Sequence, residues 1–231
     1  MANTVRNKST LPNSLSNDDS NALENIQLKY EQHKKRINTV ISVILAAIVA
    51  FFAYKKFILE PKENKAANAI SFAQSLFAAD SLNLALNGDG QHLGFAKIAK
   101  KYSGTKAGNL ANYYAGVCYL QLHDAPNAIK FLKEFDGKGT KLQYAADGIL
   151  GDAYMENNNA KEGINYYEKA TADKTDNLIT PLYLYRAALA YEQSNQADKA
   201  KTNYKKIRDE YPQSMQAREV DKNLARLGVI D

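Results

Sequence analysis

The pattern of apolar and polar positions changes abruptly near residue 37. Residues 37–54 form eighteen consecutive uncharged positions, Ile-Asn-Thr-Val-Ile-Ser-Val-Ile-Leu-Ala-Ala-Ile-Val-Ala-Phe-Phe-Ala-Tyr. As a helix this run measures about 27 Å, just short of a bilayer's hydrocarbon core. Lys34, Lys35 and Arg36 precede it, and Lys55 and Lys56 follow it. Long basic side chains of this kind snorkel to the interface and make up the difference. The pattern predicts a transmembrane helix over 37–59. A buried core helix is the competing reading, but it does not usually carry lysine clusters at both ends. A cleaved signal peptide is the other. Its n-region is far shorter than the 36 residues found here, and it ends on a small-x-small site rather than Phe51-Phe52-Ala53.

On either side the pattern is polar. Residues 1–20 are rich in Asn, Ser, Thr and Asp without periodicity, and are predicted to be a disordered cytoplasmic tail. Residues 21–36 carry Leu23, Ile26, Leu28 and Tyr30 and are predicted to be a juxtamembrane helix. Pro61 marks a break, with a linker over 60–64. From 65 to 228 the apolar residues recur at helical spacing between Gly, Asn, Asp and Pro turns, and no strand-like alternation of useful length appears. The prediction is all-α.

Within that region the sequence repeats. Ala115-Gly116-Val117-Cys118-Tyr119, Leu150-Gly151-Asp152-Ala153-Tyr154 and Ala187-Ala188-Leu189-Ala190-Tyr191 share a small residue three positions before a Tyr, and the tyrosines lie 35 and 37 residues apart. A second signature follows each, centred on Ala128, on Gly163 with Tyr167, and on Ala200 with Tyr204. The last unit closes on Tyr211-Pro212. This resembles the tetratricopeptide pattern, with small residues at positions 8 and 20, aromatics at 11 and 24, and Pro at 32. The resemblance implies antiparallel helix pairs that touch at Gly116, Ala128, Gly151, Gly163, Ala188 and Ala200, where only small side chains fit. Tyr119, Tyr154, Tyr191 and Tyr204 fill the space beside them, and Pro212 completes the packing set. Phe95 to Tyr102 aligns with Tyr204 to Tyr211 and marks an earlier, degraded unit, with 66–85 as its first helix or helices. The expected fold is a single N-terminal transmembrane helix followed by a tetratricopeptide-repeat (TPR) helical solenoid over 65–228. Its units fall at about 72–105, 109–142, 144–177 and 181–214, and a capping helix at 214–228 closes the open end.

Composition and charge refine this picture. The chain has 231 residues, 45% hydrophobic and 24% charged, which excludes a wholly disordered protein. The net charge of +5 resembles a nucleic-acid signal until it is divided. Residues 1–36 hold six Lys and Arg against four Asp and Glu, Lys55 and Lys56 add two more, and residues 57–231 hold 22 against 21. The large domain is nearly neutral, so no nucleic-acid partner is expected. The positive-inside rule is tied, with Lys29, Lys34, Lys35 and Arg36 on one side and Lys55, Lys56, Lys62 and Lys65 on the other. The tighter N-terminal cluster favours a short tail inside and a large domain outside.

Little in the sequence points to chemistry. The single cysteine, Cys118, excludes an internal disulfide framework and sits beside a packing tyrosine, as a buried structural residue would. His92 and His123 fall in turns and His33 in the basic flank. Gly88-Asp89-Gly90 reads as a turn, and no metal-ligand spacing or phosphate loop is present. No enzyme activity and no cofactor are expected. The first helices of such a solenoid line its concave face. Positions 5, 9 and 12 give Tyr113, Val117 and Leu120, then Gly148, Asp152 and Met155, then Tyr185, Leu189 and Glu192. The Lys and Asn pattern that grips acidic chaperone tails is missing there. From this row Tyr113, Val117, Leu120, Asp152, Met155, Tyr185 and Leu189 are the expected groove, suited to an apolar or unfolded polypeptide segment. The alternative is that some of them pack on the next unit.

Three local runs carry a closer resemblance: Asn87-Gly88-Asp89-Gly90, then Tyr102-Ser103-Gly104-Thr105-Lys106-Ala107-Gly108-Asn109-Leu110-Ala111, then Tyr114-Ala115-Gly116. With the order tail, anchor, linker and repeats, the chain resembles the YfgM-type ancillary subunits of the bacterial SecYEG translocon, especially their Bacteroidota-type relatives, over roughly residues 30–228. The resemblance implies a single-pass inner-membrane protein with a periplasmic TPR domain. It also implies that SecYEG and a PpiD-like membrane-anchored chaperone are partners, beside the lipid bilayer itself. A targeting or assembly receptor with the same anchor and its repeats in the cytosol is the alternative reading.

Overall fold

The computed structural model describes residues 17–229, with side chains described for residues 30, 31 and 33–229. The tail expected over 1–20 lies outside the described residues up to 16. Residues 17–20 are already helical, because α1 spans Asn17–Tyr54. The chain divides into two compact units, one up to Ile58 and one from Leu59.

The first unit is α1 and the beginning of a π-helical turn, Lys55–Leu59. None of the most apolar eighteen-residue window of this helical stretch is buried, and Val43, Val49, Phe51 and Phe52 are each more than 60% exposed. By length and composition this N-terminal helix is able to cross a membrane. The π turn precedes Pro61, which sits in the first turn of α2. Proline has no N–H to offer the carbonyl four residues back and its ring crowds that carbonyl, so the helix widens locally. Residues 60–64, expected as a linker, are therefore the first turn of α2, Glu60–Ala78.

The second unit is all helix. After α2 come α3 (Leu82–Asn87), α4 (Phe95–Lys101), α5 (Lys106–Gln121), α6 (Ala125–Glu134), α7 (Lys141–Glu156), α8 (Ala160–Ala170), α9 (Ile179–Gln193), α10 (Ala197–Glu210) and α11 (Ala217–Arg226). Three hairpins, α5–α6, α7–α8 and α9–α10, pack in series. Helices α5, α7 and α9 form an inner row in which neighbours touch. Helix α6 packs between α5 and α7, and α8 between α7 and α9, as an outer row.

The hairpins share one turn chemistry. His123, Asn158 and Asn195 each take a left-handed φ of 57–59°. The following residue's N–H then reaches back to the carbonyl of the repeated tyrosine: Asp124 to Tyr119, Asn159 to Tyr154, and Gln196 to Tyr191, at 2.8–2.9 Å. This is a Schellman-type helix end. The Asp124 and Asn159 side chains then cap the next helix.

The same turn recurs at Asp80, where the Ser81 N–H bonds the Leu76 carbonyl. Leu76 therefore stands where the later units have tyrosine. Ala73 and Ala85, both fully buried, stand at positions 8 and 20. The first unit thus begins near Ala66, six residues before the expected 72. Its second helix is split into α3 and α4 by an insertion. The interval from Ala85 to Phe95 is ten residues, whereas Ala200 to Tyr204 is four. The insertion is tied down locally: Asp89 accepts hydrogen bonds from the Gln91 and His92 N–H groups at 2.9 and 2.6 Å, and the His92 ring stacks on Phe72. These bonds hold the Asp89 carboxyl down to about 2, the His92 N–H contributing most.

Small residues mark the close contacts. A Cβ at Gly116 would come within 2.4 Å of Leu132, and one at Gly151 within 2.4 Å of the Tyr167 ring and 3.1 Å of the Gly163 carbonyl. Ala128, Ala188 and Ala200 are fully buried. Tyr119 stacks on Phe131 and Tyr154 on Tyr166, while Tyr191 and Tyr204 are buried. Pro212 departs from its expected packing role. It is exposed just past the end of α10, and the neighbouring Tyr211 is the buried residue, its hydroxyl donating to the Lys174 carbonyl at 2.8 Å. Helix α11 closes the series with Val220 and Leu224 buried and its other face charged.

Candidate functional site

The inner row α5, α7 and α9 carries the residues expected to form a groove, and the structure separates them into three groups. Leu189 is exposed, at 37%, and Val117 and Leu120 are half-buried along the same row. These three supply the row's apolar surface.

Tyr113, Met155, Tyr185 and Gly148 are engaged within the fold. The Tyr113 ring lies against Tyr114 and Phe135, and burial pushes its hydroxyl above the ordinary range. Met155 packs against the last hairpin's core, and a Cβ at Gly163 would meet its sulfur at 2.7 Å. The Tyr185 ring packs edge-on against Tyr204, and its hydroxyl accepts from Asn223 of α11 at 3.2 Å. Beside it Glu192 receives both Arg226 N–H groups, at 2.6 and 2.9 Å. Helix α11 therefore closes this end of the row and covers Tyr185, which repeat register alone assigns to the groove. Gly148, at a concave position by register, is buried under the Tyr183 ring of the next unit.

Asp152 forms the third group. Its carboxylate accepts from the Tyr167 hydroxyl at 2.8 Å and pairs with the guanidinium of Arg186, which also lies over the Tyr183 ring. Burial pushes the Asp152 carboxyl up, while the Arg186 charge and the Tyr167 hydroxyl oppose it. The hub joins two consecutive repeats through α7, α8 and α9. Arg186 was missed by reading each repeat separately. It sits at position 6 of its unit, one repeat after the acid, and only the offset between neighbouring units brings the two together.

Cys118 is fully buried and its thiol is pushed up to about 12 by that burial, which leaves no thiolate at neutral pH. Among the described residues no group of three or more His, Cys, Asp and Glu converges as metal ligands would.

Stacked helix pairs with a recurrent turn define the class of the domain, a TPR solenoid. The family described as Tetratricopeptide repeat matches residues 183–214, the stretch that spans most of α9 and all of α10. The match marks a protein-interaction module and indicates no enzyme family. No curated protein matches the chain significantly.

Proposed function

We propose that the protein is a non-enzymatic, membrane-anchored interaction subunit that holds apolar or unfolded polypeptide against the inner row of its TPR domain. The observation that carries this reading is the pairing of a wholly unburied apolar helix with a repeat domain whose inner row keeps Leu189, Val117 and Leu120 as apolar surface. An apolar helix of this length that its own chain leaves unburied is suited to lipid in place of water. The finer assignment is an ancillary subunit of the Sec translocon in the bacterial inner membrane. Its repeats would be periplasmic, beside SecYEG and a PpiD-like chaperone. This rests on the resemblance of the 87–90, 102–111 and 114–116 runs.

Crosslinking in intact membranes followed by purification of the full chain tests the assignment. Recovery of SecY with a PpiD-like protein supports it, and recovery of neither refutes it. Protease added to intact spheroplasts should digest the repeat domain. A protected domain would favour the cytosolic receptor instead. Ile44→Arg should raise the insertion cost by about 3 kcal/mol and release part of the protein from alkali-washed membranes.

A further inference from the structure

Charge in the TPR domain is sorted by layer. The inner helices α5, α7 and α9 carry three Lys and Arg against four Asp and Glu. The outer row of α6 and α8, extended by α4 and α10 as the second helices of the first and last units, carries twelve against six. A domain that is neutral as a whole is therefore basic on one side.

The outer lysines are also placed repetitively. Between α4 and α6, Lys100 and Lys130 line a cleft of about 350 Å³ with Phe131 and the carboxylate of Glu134. Between α6 and α8, Lys133 lies over the Tyr154 ring and Lys169 over Tyr166, at 5.5 and 4.1 Å, on either side of the stacked tyrosine pair. Between α8 and α10, Lys161 and Lys199 line a second cleft of about 350 Å³ with Tyr191. Each junction of the outer row thus presents one lysine from each helix beside an aromatic ring. Lys100, Lys130, Lys133, Lys161, Lys169 and Lys199 are all exposed, and among the described residues none has a carboxylate within ion-pair distance. Exposed ammonium groups outside ion-pair distance of a carboxylate suit an anionic surface, where cations meet phosphate.

From this sorting we propose that the outer row of the TPR domain docks on anionic phospholipid headgroups of the membrane that anchors the chain. The proposal rests on the anchored reading above, because a tethered domain meets its own membrane at high effective concentration. The tether is what favours lipid over a free acidic polypeptide, which has no such advantage. Attraction of this kind fades beyond a Debye length and yields to salt.

The full chain, reconstituted in nanodiscs of phosphatidylcholine alone or mixed with phosphatidylglycerol, provides the test. Lysine acylation is read residue by residue by mass spectrometry. The six junction lysines should react about threefold more slowly or less in the anionic discs, and the protection should vanish near 1 M salt. Lys138 and Lys222 should react equally in both. Equal reactivity of the six in the two lipids would overturn the proposal. So would protection by soluble polyglutamate in detergent without protection by anionic discs, an outcome that assigns the face to an acidic polypeptide. Lys100→Glu with Lys130→Glu, Lys133→Glu and Lys169→Glu should abolish the protection at Lys161 and Lys199 while the circular dichroism spectrum is kept. Failure of the chain to enter neutral discs would refute the anchor and not the face. The same criterion is then applied after adding the chain to preformed anionic vesicles.

Discussion

The ring of Tyr183 fills the place where Gly148 lacks a side chain: a Cβ there would come within 1.9 Å of the ring carbon that bears the hydroxyl. This contact crosses from one repeat to the next, and it fixes the spacing of α7 and α9. Gly148→Ala should therefore destabilise the domain by roughly 1–3 kcal/mol, because a whole ring has to move. Gly151→Leu should cost at least as much, since it meets the Tyr167 ring and, behind it, the Gly163 backbone. Urea unfolding of each variant measures the difference. A Gly148→Ala midpoint equal to wild type would mean that Tyr183 turns aside freely.

Leu189 and Met155 share the inner row but differ in what they touch. Leu189→Glu should leave the thermal midpoint within error while weakening capture of an apolar peptide. Met155→Ala should lower stability by about 2 kcal/mol, the low end for a half-buried methionine. Fluorescence anisotropy with a labelled apolar peptide, paired with a thermal scan, separates the two. If Leu189→Glu binds as wild type does, the inner row is not the peptide surface.

The carboxylate of Glu63 in α2 accepts from the Lys106 and Ala107 N–H groups at 2.7 and 2.9 Å, which caps α5 from 43 residues away in sequence. Its neighbour Lys62 donates to the Ser103 carbonyl at 2.7 Å. Glu63→Ala should cost about 1 kcal/mol, as loss of a helix cap does, and Glu63→Gln less because one acceptor remains. Chemical denaturation that ranks the two variants the other way would argue against a capping role.

Glu192 ties α9 to the closing helix, and its hydrogen bond from Arg226, with that from Tyr204, lowers its carboxyl below the usual range. A group depressed in the folded state adds stability above its unfolded value of about 4.3 and loses it as pH falls through the folded value. Glu192→Gln should melt below wild type at pH 7, and the gap should close as the pH drops below about 4. Thermal scans across that range check the sign. A gap that stays constant would mean that the charge is not what α11 holds.

Much of this protein was written locally. The uncharged run of 37–54, the small residues at Gly116, Gly151 and Ala188 and the tyrosines that follow them encode the apolar helix and the repeat. Each depends on side-chain size and polarity at a fixed spacing, which one chain segment specifies alone. The His123, Asn158 and Asn195 turns belong to the same class, although their shared left-handed geometry shows only in the folded chain. Tertiary structure decided what lies between segments. The first unit's bound, expected at about 72 although 66–85 reads as its first helix or helices, lies near Ala66, because the insertion between Ala85 and Phe95 broke the period. Arg186 reaches Asp152, Tyr183 covers Gly148, and α11 covers Tyr185 and Glu192, because neighbouring units pack with an offset that no single repeat records. Periodicity assigns a residue to a face of its own helix. Which part of that face stays open is fixed by the next helix to arrive, and that is a property of packing.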